Sequence, residues 1–444
     1  MESLLVANRG EIARRIIRTA KRLGIRTIAV HSDVDAGLPF VLEADVAVLI
    51  GPANPAQSYR NAEAVLAAAK QTGAQAIHPG YGFLSENAEF ARQVEAAGLI
   101  WVGPSAEAIT AMGDKINARN LMAAAGVPVA PGTTDPAGSV DEALAEAVRI
   151  GFPVMIKAAA GGGGMGMAPA NDEVVFRTEY DKVRGFAERM FGDGSVLIEK
   201  YFPSVRHIEV QILGLADGRV VALGERECSV QRRNQKLVEE SPSPASMLTP
   251  ERRQALHASA VRAGEAVGYR NAGTVECLLD PATGDFFFLE MNTRLQVEHP
   301  ITEAVFGIDL VEAQLRIAAG LPVEVPAQST GHAIELRINA EDPKRFLPGP
   351  GAVTVWEEPA GLPGIRVDSG YAAGTTVTPS YDSLMAKLVA YGVDRAQAIE
   401  RLRAAIAAFQ ITGPKNNLPF FAELLENEEF LSGDYDTAIV SRMR

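Results

Sequence analysis

The sequence predicts an α/β chain that starts as a doubly wound parallel unit and continues into a larger unit built on antiparallel strands. Three observations carry this expectation. The first quarter alternates short apolar runs with amphipathic helical stretches, the βαβ pattern of an open parallel sheet. Residues 206–211 and 220–226 instead alternate apolar and polar positions, as antiparallel strands with one covered face do. The length, 444 residues, exceeds what one core organises, so two or three domains are expected.

The bulk composition narrows the function. Apolar residues make up 47% and charged residues 22%, the balance of a soluble globular chain. A net charge of −13 argues against general binding to nucleic acid, so anionic ligands must be gathered by local basic clusters. Two cysteines, Cys228 and Cys277, make no disulfide framework and fit a reducing compartment. The start, MESLLVANRGEIARR, turns charged quickly, unlike a signal peptide. No apolar run approaches the ~20 residues of a membrane span. The expectation is a cytoplasmic protein with no membrane or nucleic-acid partner.

Residues 4–7 read as a buried strand, Asn8-Arg9-Gly10-Glu11 as a turn, and residues 12–23 as a helix carrying Ile12, Ile16, Ile17, Ala20 and Leu23 on one face. Strands near 27–31, 44–49, 74–78 and 100–102 and helices near 61–71 and 87–97 continue the pattern. The first turn has one glycine and lacks G-x-G-x-x-G, so no dinucleotide site is indicated. His78-Pro79-Gly80-Tyr81-Gly82-Phe83 follows a strand, where open sheets hold ligand loops; a structural turn fits it equally. Residues 105–125 read as a helix with Ser105 as N-cap, interrupted at Gly113-Asp114-Lys115. Residues 127–135, rich in Pro, Gly and Thr, read as a linker into a small second domain.

A strand over 152–157 ends in Lys157 and is followed by AAAGGGGMGM. Consecutive glycines leave backbone N–H groups open to phosphate oxygens, although the loop by itself also fits a flexible hairpin tip. The lysine precedes the glycines, so this is no Walker A loop. The strand over 196–200, VLIEK, runs into Tyr201-Phe202 and could offer backbone groups to an adenine edge. The basic run Gln231-Arg232-Arg233-Asn234-Gln235-Lys236 is an anion-site candidate in an acidic chain, or a solvated face.

The most informative stretch is FFFLEMNTRLQVEHP at 286–300. Its apolar start is a buried strand. If the extended backbone continues, Glu290, Asn292, Arg294, Gln296 and Glu298 project to one side. Such groups are costly to bury unless they bind something charged; a solvated polar face is the plain alternative. The strand over 273–279 and the turn at 281–285 make a hairpin, so Glu276 and Glu290 become cross-strand neighbours. Two carboxylates beside Asn292 suit a hard divalent cation, Mg²⁺ or Mn²⁺, shared with phosphates. Helices near 250–267, 310–319, 396–409 and 417–425 and strands near 332–339, 353–356, 365–368 and 384–391 complete the chain.

Eight motifs together carry a family resemblance: VANRGEIA at 6–13, HPGYGFLSEN at 78–87, MGDK at 112–115, KAAAGGGGMGM at 157–167, RHIEVQ at 206–211, QRRNQK at 231–236, EMNTRLQVEHP at 290–300 and RINAEDP at 337–343. Over nearly its whole length the chain resembles biotin carboxylase, of the ATP-grasp superfamily. The resemblance implies an ATP-grasp fold: an N-terminal Rossmann-like doubly wound domain over 1–113, an ATP-grasp domain over 114–316 with a small lid near 132–203, and an α+β C-terminal domain over 331–438. It implies ATP phosphates on Lys115, Lys157, Gly163, Gly164 and His207, with Asn234, Glu276 and Glu290 also in the ATP site. Adenine would lie along Glu199, Lys200, Tyr201 and Phe202. Mg²⁺ (or Mn²⁺) would sit on Glu276, Glu290 and Asn292, and bicarbonate on Lys236, Arg294, Gln296 and Val297. Glu298 would be the general base, Arg337 would stabilise the biotin enolate, and Tyr81 would lie near biotin.

The implied reaction is ATP-dependent carboxylation of carrier-bound biotin by bicarbonate through carboxyphosphate, the first half-reaction of an acetyl- or propionyl-CoA carboxylase. The implied partners are a biotin carboxyl carrier protein, a carboxyltransferase subunit and a second copy of the chain. No Met is followed by Lys, the pair at which carriers take biotin, so the carrier is expected on another chain. Met165 and Asn234 depart from the Arg and His common in bacterial members and look like urea- or acyl-CoA-type carboxylases. The alternatives are such a carboxylase, another ATP-grasp ligase, or a nucleotide-binding module without catalysis.

Overall fold

The computed structural model describes residues 1–159 and 166–444, so the expectations for Gly163, Gly164 and Met165 lie outside the described residues. The chain opens with β1 (Ser3–Val6), α1 (Gly10–Arg22), β2 (Arg26–Ser32), α2 (Pro39–Glu43), β3 (Val46–Gly51), α3 (Ala62–Thr72), β4 (Ala76–His78), α4 (Ala88–Ala96) and β5 (Ile100–Trp101). The strands pair in parallel in the order β3-β2-β1-β4-β5. Ile12, Ile16, Ile17 and Ala20 are buried, as their spacing predicts. The strand order reverses between β1 and β4, which is where doubly wound sheets open a crevice. There the Asn8 amide donates to the carbonyls of Pro79 (2.7 Å) and Tyr81 (2.6 Å), tying two loops together. Gly80 has φ +64, and a Cβ on it would lie 2.8 Å from the Asn8 amide nitrogen, so this close approach requires glycine.

The helix expected over 105–125 is two, α5 (Ala106–Gly113) and α6 (Lys115–Ala124). Asp114 leaves helical geometry (φ −92, ψ 115), and its carboxylate caps α6 by accepting from the Asn117 N–H. Ser105 caps α5 as expected. The linker over 127–135 is pinned at both ends. Phe288 N–H donates to Pro128, Lys200 N–H to Pro131, and Thr133 N–H to Ile198.

Next come α7 (Val140–Ile150), β6 (Val154–Ala158), β7 (Met167–Ala170), α8 (Glu173–Phe191) and β8 (Val196–Lys200). They form a small antiparallel sheet, β7-β6-β8, with its own core of Val154, Ile156, Phe176, Tyr180 and Ile198. Sequence reading passed over α7, α8 and β7. Phe176, Tyr180, Val183 and Ala187 are the buried stripe of α8, at helical spacing, and could have revealed it.

The rest is organised by one eight-stranded antiparallel sheet. It is built from β9 (Arg206–Gly214), β10 (Val220–Arg232), β11 (Gln235–Ser241), β12 (Asn271–Leu279), β13 (Phe286–Asn292), β14 (His332–Asn339), β17 (Ile365–Ser369) and β19 (Leu384–Gly392). Short ribbons β15 (Gly351–Ala352), β16 (Val355–Glu357), β18 (Thr376–Val377) and β20 (Gln410–Thr412) flank it, with α9 (Pro250–Ala266), α10 (His299–Phe306), α11 (Leu310–Ala318), α12 (Arg395–Ala408) and α13 (Leu418–Leu424). The order β13-β12-β9-β10-β11-β14-β19-β17 joins strands from before and after residue 316 in one sheet. The basic run over 231–236 spans the tip of the β10–β11 hairpin, with Arg233 and Asn234 at φ 49 and 63. One expectation is corrected here. The extended backbone expected to Glu298 stops at Asn292, and α10 starts at His299.

Arg206 and Glu227 pair at 2.8 Å with no solvent exposure. Arg206→Met strands a buried carboxylate, and the expected loss is about 3–5 kcal/mol, read as a lowered denaturant midpoint. A midpoint unchanged from the unsubstituted chain contradicts it.

Candidate active site

A cavity of about 1020 Å³ lies between the β1 and β4 loops, the small sheet and the eight-stranded sheet. Most predicted residues converge on it. On the small-sheet side, Lys157 of β6 donates to Glu199 on the adjacent β8. The Lys200 ammonium is committed to the carbonyls of Gly151 (2.8 Å) and Phe152 (3.1 Å). Phe202 stacks on Phe287 at 5.1 Å, making an apolar wall beside Tyr201. Lys115, at the start of α6, and Asn234, at the hairpin tip, also line the cavity.

The floor is charged. β12 and β13 place Glu276 directly opposite Glu290, and Thr274 opposite Asn292, as the hairpin reading required. Lys236 sends its ammonium to three carboxylates: Glu209 at 2.6 Å, Glu298 at 2.7 Å and Glu276 at 2.9 Å. His207 contacts the other Glu276 oxygen at 2.8 Å. Burial disfavours charge here, yet Lys236, Arg337 and Arg226 together hold the Glu298 carboxyl well below its usual range. Lys236 and His207 do the same for Glu276. Glu290 goes the other way: burial and the facing Glu276 push it up. Among the described residues nothing donates to the Glu290 carboxylate. Two opposed carboxylates with a side-chain amide alongside fit a hard divalent cation on Glu276, Glu290 and Asn292. His207, Glu209 and Glu276 also lie within metal-ligand range of one another, but the Lys236 ammonium already bonds both Glu209 and Glu276.

Beyond Asn292 the chain curls, and Arg294 folds back to donate to Gln296 (2.7 Å) and Asn292 (2.9 Å). Gln296 donates to Glu276 at 2.9 Å. Arg337 donates to Glu239 (2.6 Å) and Glu298 (3.0 Å), so the Glu298 carboxylate sits between an ammonium and a guanidinium. The Val297 carbonyl accepts from Lys387 at 3.0 Å. Lys387 also pairs with Glu11 at 3.0 Å, and Glu11 accepts from the Tyr81 hydroxyl. Glu11, Glu86 (3.3 Å from Arg294), Arg226, Glu239 and Lys387 were not anticipated as site residues. Each lies far in sequence from the group it supports, except that Glu11 sits inside VANRGEIA and Glu86 inside HPGYGFLSEN.

Three family models match: "Biotin carboxylase, N-terminal domain" over residues 1–109, "Carbamoyl-phosphate synthase L chain, ATP binding domain" over 114–325, and "Biotin carboxylase C-terminal domain" over 335–442. The biotin carboxylase of Haemophilus influenzae is 48% identical over 437 residues, covering 98% of this chain and 96% of that protein. The mitochondrial propionyl-CoA carboxylase alpha chain of Mus musculus is 48% identical over 99% of this chain, which spans 61% of its length. The crystal structure of the biotin carboxylase domain dimer of Hydrogenobacter thermophilus 2-oxoglutarate carboxylase, in complex with MgADP, ADP and bicarbonate, superposes with a TM-score of 0.93 at 43% identity, covering 99% of this chain and 97% of that one.

Lys236→Met removes the cation that keeps Glu276 and Glu298 ionised. Their folded pKa values, held well below the usual range by Lys236, then rise. A carboxyl depressed on folding adds stability that is present above its unfolded value of 4.5 and is lost as pH falls toward its folded value. The variant is therefore expected to show a melting-temperature deficit at neutral pH, relative to the unsubstituted chain, that shrinks as pH falls below 4.5. A pH-independent deficit contradicts the ionised network.

Proposed function

This chain belongs to the biotin carboxylase family, and from that premise we propose that it carboxylates carrier-bound biotin with ATP and bicarbonate, as the first half-reaction of an acetyl- or propionyl-CoA carboxylase. It is an ATP-dependent ligase of the ATP-grasp type. The observation that carries the reading is Glu298, a fully buried carboxylate kept ionised between Lys236 and Arg337, two cations that line a nucleotide-sized cavity. An ionised carboxylate is free to accept a proton, and the two cations beside it attract an anionic substrate.

Lys236, Arg294, Gln296 and the Val297 segment hold bicarbonate beside Glu298. Glu298 takes the bicarbonate proton as the oxygen attacks the γ-phosphate of ATP. Lys115, Lys157 and His207 spread cationic and donor groups along the phosphates, with Glu199 to Phe202 along the adenine. Mg²⁺, or Mn²⁺, on Glu276, Glu290 and Asn292 supplies charge neutralisation to those phosphates. Carboxyphosphate is hydrolytically fragile, so the small sheet over the cavity serves to exclude water. Its collapse yields CO₂ and phosphate; phosphate removes the biotin N1′ proton, Arg337, near Tyr81, stabilises the enolate oxygen, and N1′ attacks CO₂ to form the N–C bond of carboxybiotin. The carboxyl group then leaves on the carrier protein to a carboxyltransferase subunit, and the chain acts as a homodimer. The acyl acceptor is thus met outside this cavity.

ADP release with Mg-ATP and bicarbonate is expected to rise on adding free biotin and to lose that stimulation without bicarbonate. Turnover indifferent to biotin points to another ligase reaction. Glu298→Gln is expected to lower kcat by about 10²–10⁴-fold with ADP binding retained. Chelation of divalent cations is expected to abolish turnover and its restoration by Mg²⁺ to recover it.

A further inference from the structure

Strand β14 carries a carboxylate that the reaction does not use. Glu335 lies two residues before Arg337, so both project from the same face. Its direct cross-strand partner on β11 is Glu239, the residue whose carboxylate accepts from Arg337 at 2.6 Å. Glu335 and Glu239 have no solvent exposure. Neither Glu335 oxygen has a hydrogen-bond partner among the described residues, and neither does Glu239 Oε2. Three buried oxygens on two facing carboxyl groups are therefore unsatisfied.

The surrounding cations are already committed. Glu335 faces Glu239 from β11, Arg337 on its own strand, Lys387 from β19 and Glu298 from the loop after β13. Arg337 is engaged by Glu239 and Glu298. Lys387 is engaged by Glu11 and the Val297 carbonyl. A second negative charge beside Glu239 has no counter-ion left, and two buried carboxylates side by side share one proton. Burial accordingly pushes Glu335 well above the usual carboxyl range, and Glu239 up to about 7.

We propose that Glu335 is a positioning residue: a neutral carboxylic acid whose O–H donates to Glu239, so that Arg337 meets one fixed negative charge and keeps its orientation toward Glu298 and the cavity. The proton satisfies the facing orphan oxygen and removes the repulsion that would turn Glu239 away from Arg337. Among the described residues, Nη1 of Arg337 then has no protein partner and is left for a ligand in the cavity that Arg337 lines. Only the kinetic consequence rests on the function proposed above.

The test compares Glu335→Gln, whose amide N–H replaces the acid O–H, with Glu335→Leu, which has the bulk but no donor. Infrared difference spectra of each variant against the unsubstituted chain at neutral pH are expected to show loss of one protonated-carboxyl C=O band. Loss of a carboxylate band instead overturns the proposal, whatever the activity. In biotin-stimulated ADP release, Glu335→Leu is expected to lose about tenfold or more in kcat with KM for ATP held within about twofold, and Glu335→Gln to restore most of it. Equal loss in both variants overturns the proposal, because a neutral donor would then not suffice. If the leucine variant fails to fold, the glutamine variant still decides through its band and its rate. Absence of biotin stimulation in the unsubstituted chain refutes the proposed function, while the infrared result still decides the proton on Glu335.

Discussion

The Lys236 ammonium and the three carboxylates around it are the constraint on which the site depends. Glu209 comes from β9, Glu276 from β12 and Glu298 from the turn before α10, and Lys236 itself from β11. One positive charge thus ties together three strands and the turn before α10. Buried ion clusters add little net stability, because desolvation offsets their attraction. What they impose is geometry: if one member moves, a buried charge is left unpaired. That holds the arrangement in place before any ligand arrives, which is what the proposed chemistry at Glu298 requires.

Around this centre lies a shell of charges, of which Arg226 and Lys387 stay behind the cavity wall and Glu11 lines it. Arg226, fully buried, holds Glu209 at 2.5 Å and also bonds Gln211, Thr274 and Thr302. Lys387 links the Val297 carbonyl to Glu11 on α1, and Glu11 reaches Tyr81 in the β4 loop. The parallel N-terminal sheet and the eight-stranded sheet are therefore joined through the same polar path that places Tyr81 and Val297. The division of labour is chemical. Groups with committed partners fix orientation, and groups with a free donor or lone pair, such as Glu290 and the Arg337 tip, face the cavity.

Much of this was legible in the chain. Period-two alternation and the turn over 281–285 placed Glu276 against Glu290 before any coordinates, and apolar spacing placed α1, β1 and β2 to within two residues. Two readings differ from the structure for identifiable reasons. The break at 113–115 reads as an interruption inside one helix, but the Asp114 side chain caps the next helix and splits one element into two. The polar alternation after Glu290 resembled a strand, yet no neighbouring strand pairs it past Asn292, and Arg294 folds back instead.

The sequence by itself determined the element types, the residue chemistry of the site and the family, because these follow from local periodicity and from motifs contiguous along the chain. Tertiary structure alone decided the charge state of each group. Glu239, Glu298 and Glu335 are the same residue type in equally polar local contexts. One is flanked by two cations, one shares a cation, and one faces a carboxylate with no cation free. Those differences arise from groups brought together across 39 to 98 residues of chain, and a carboxyl group's ionisation depends on its neighbours in space.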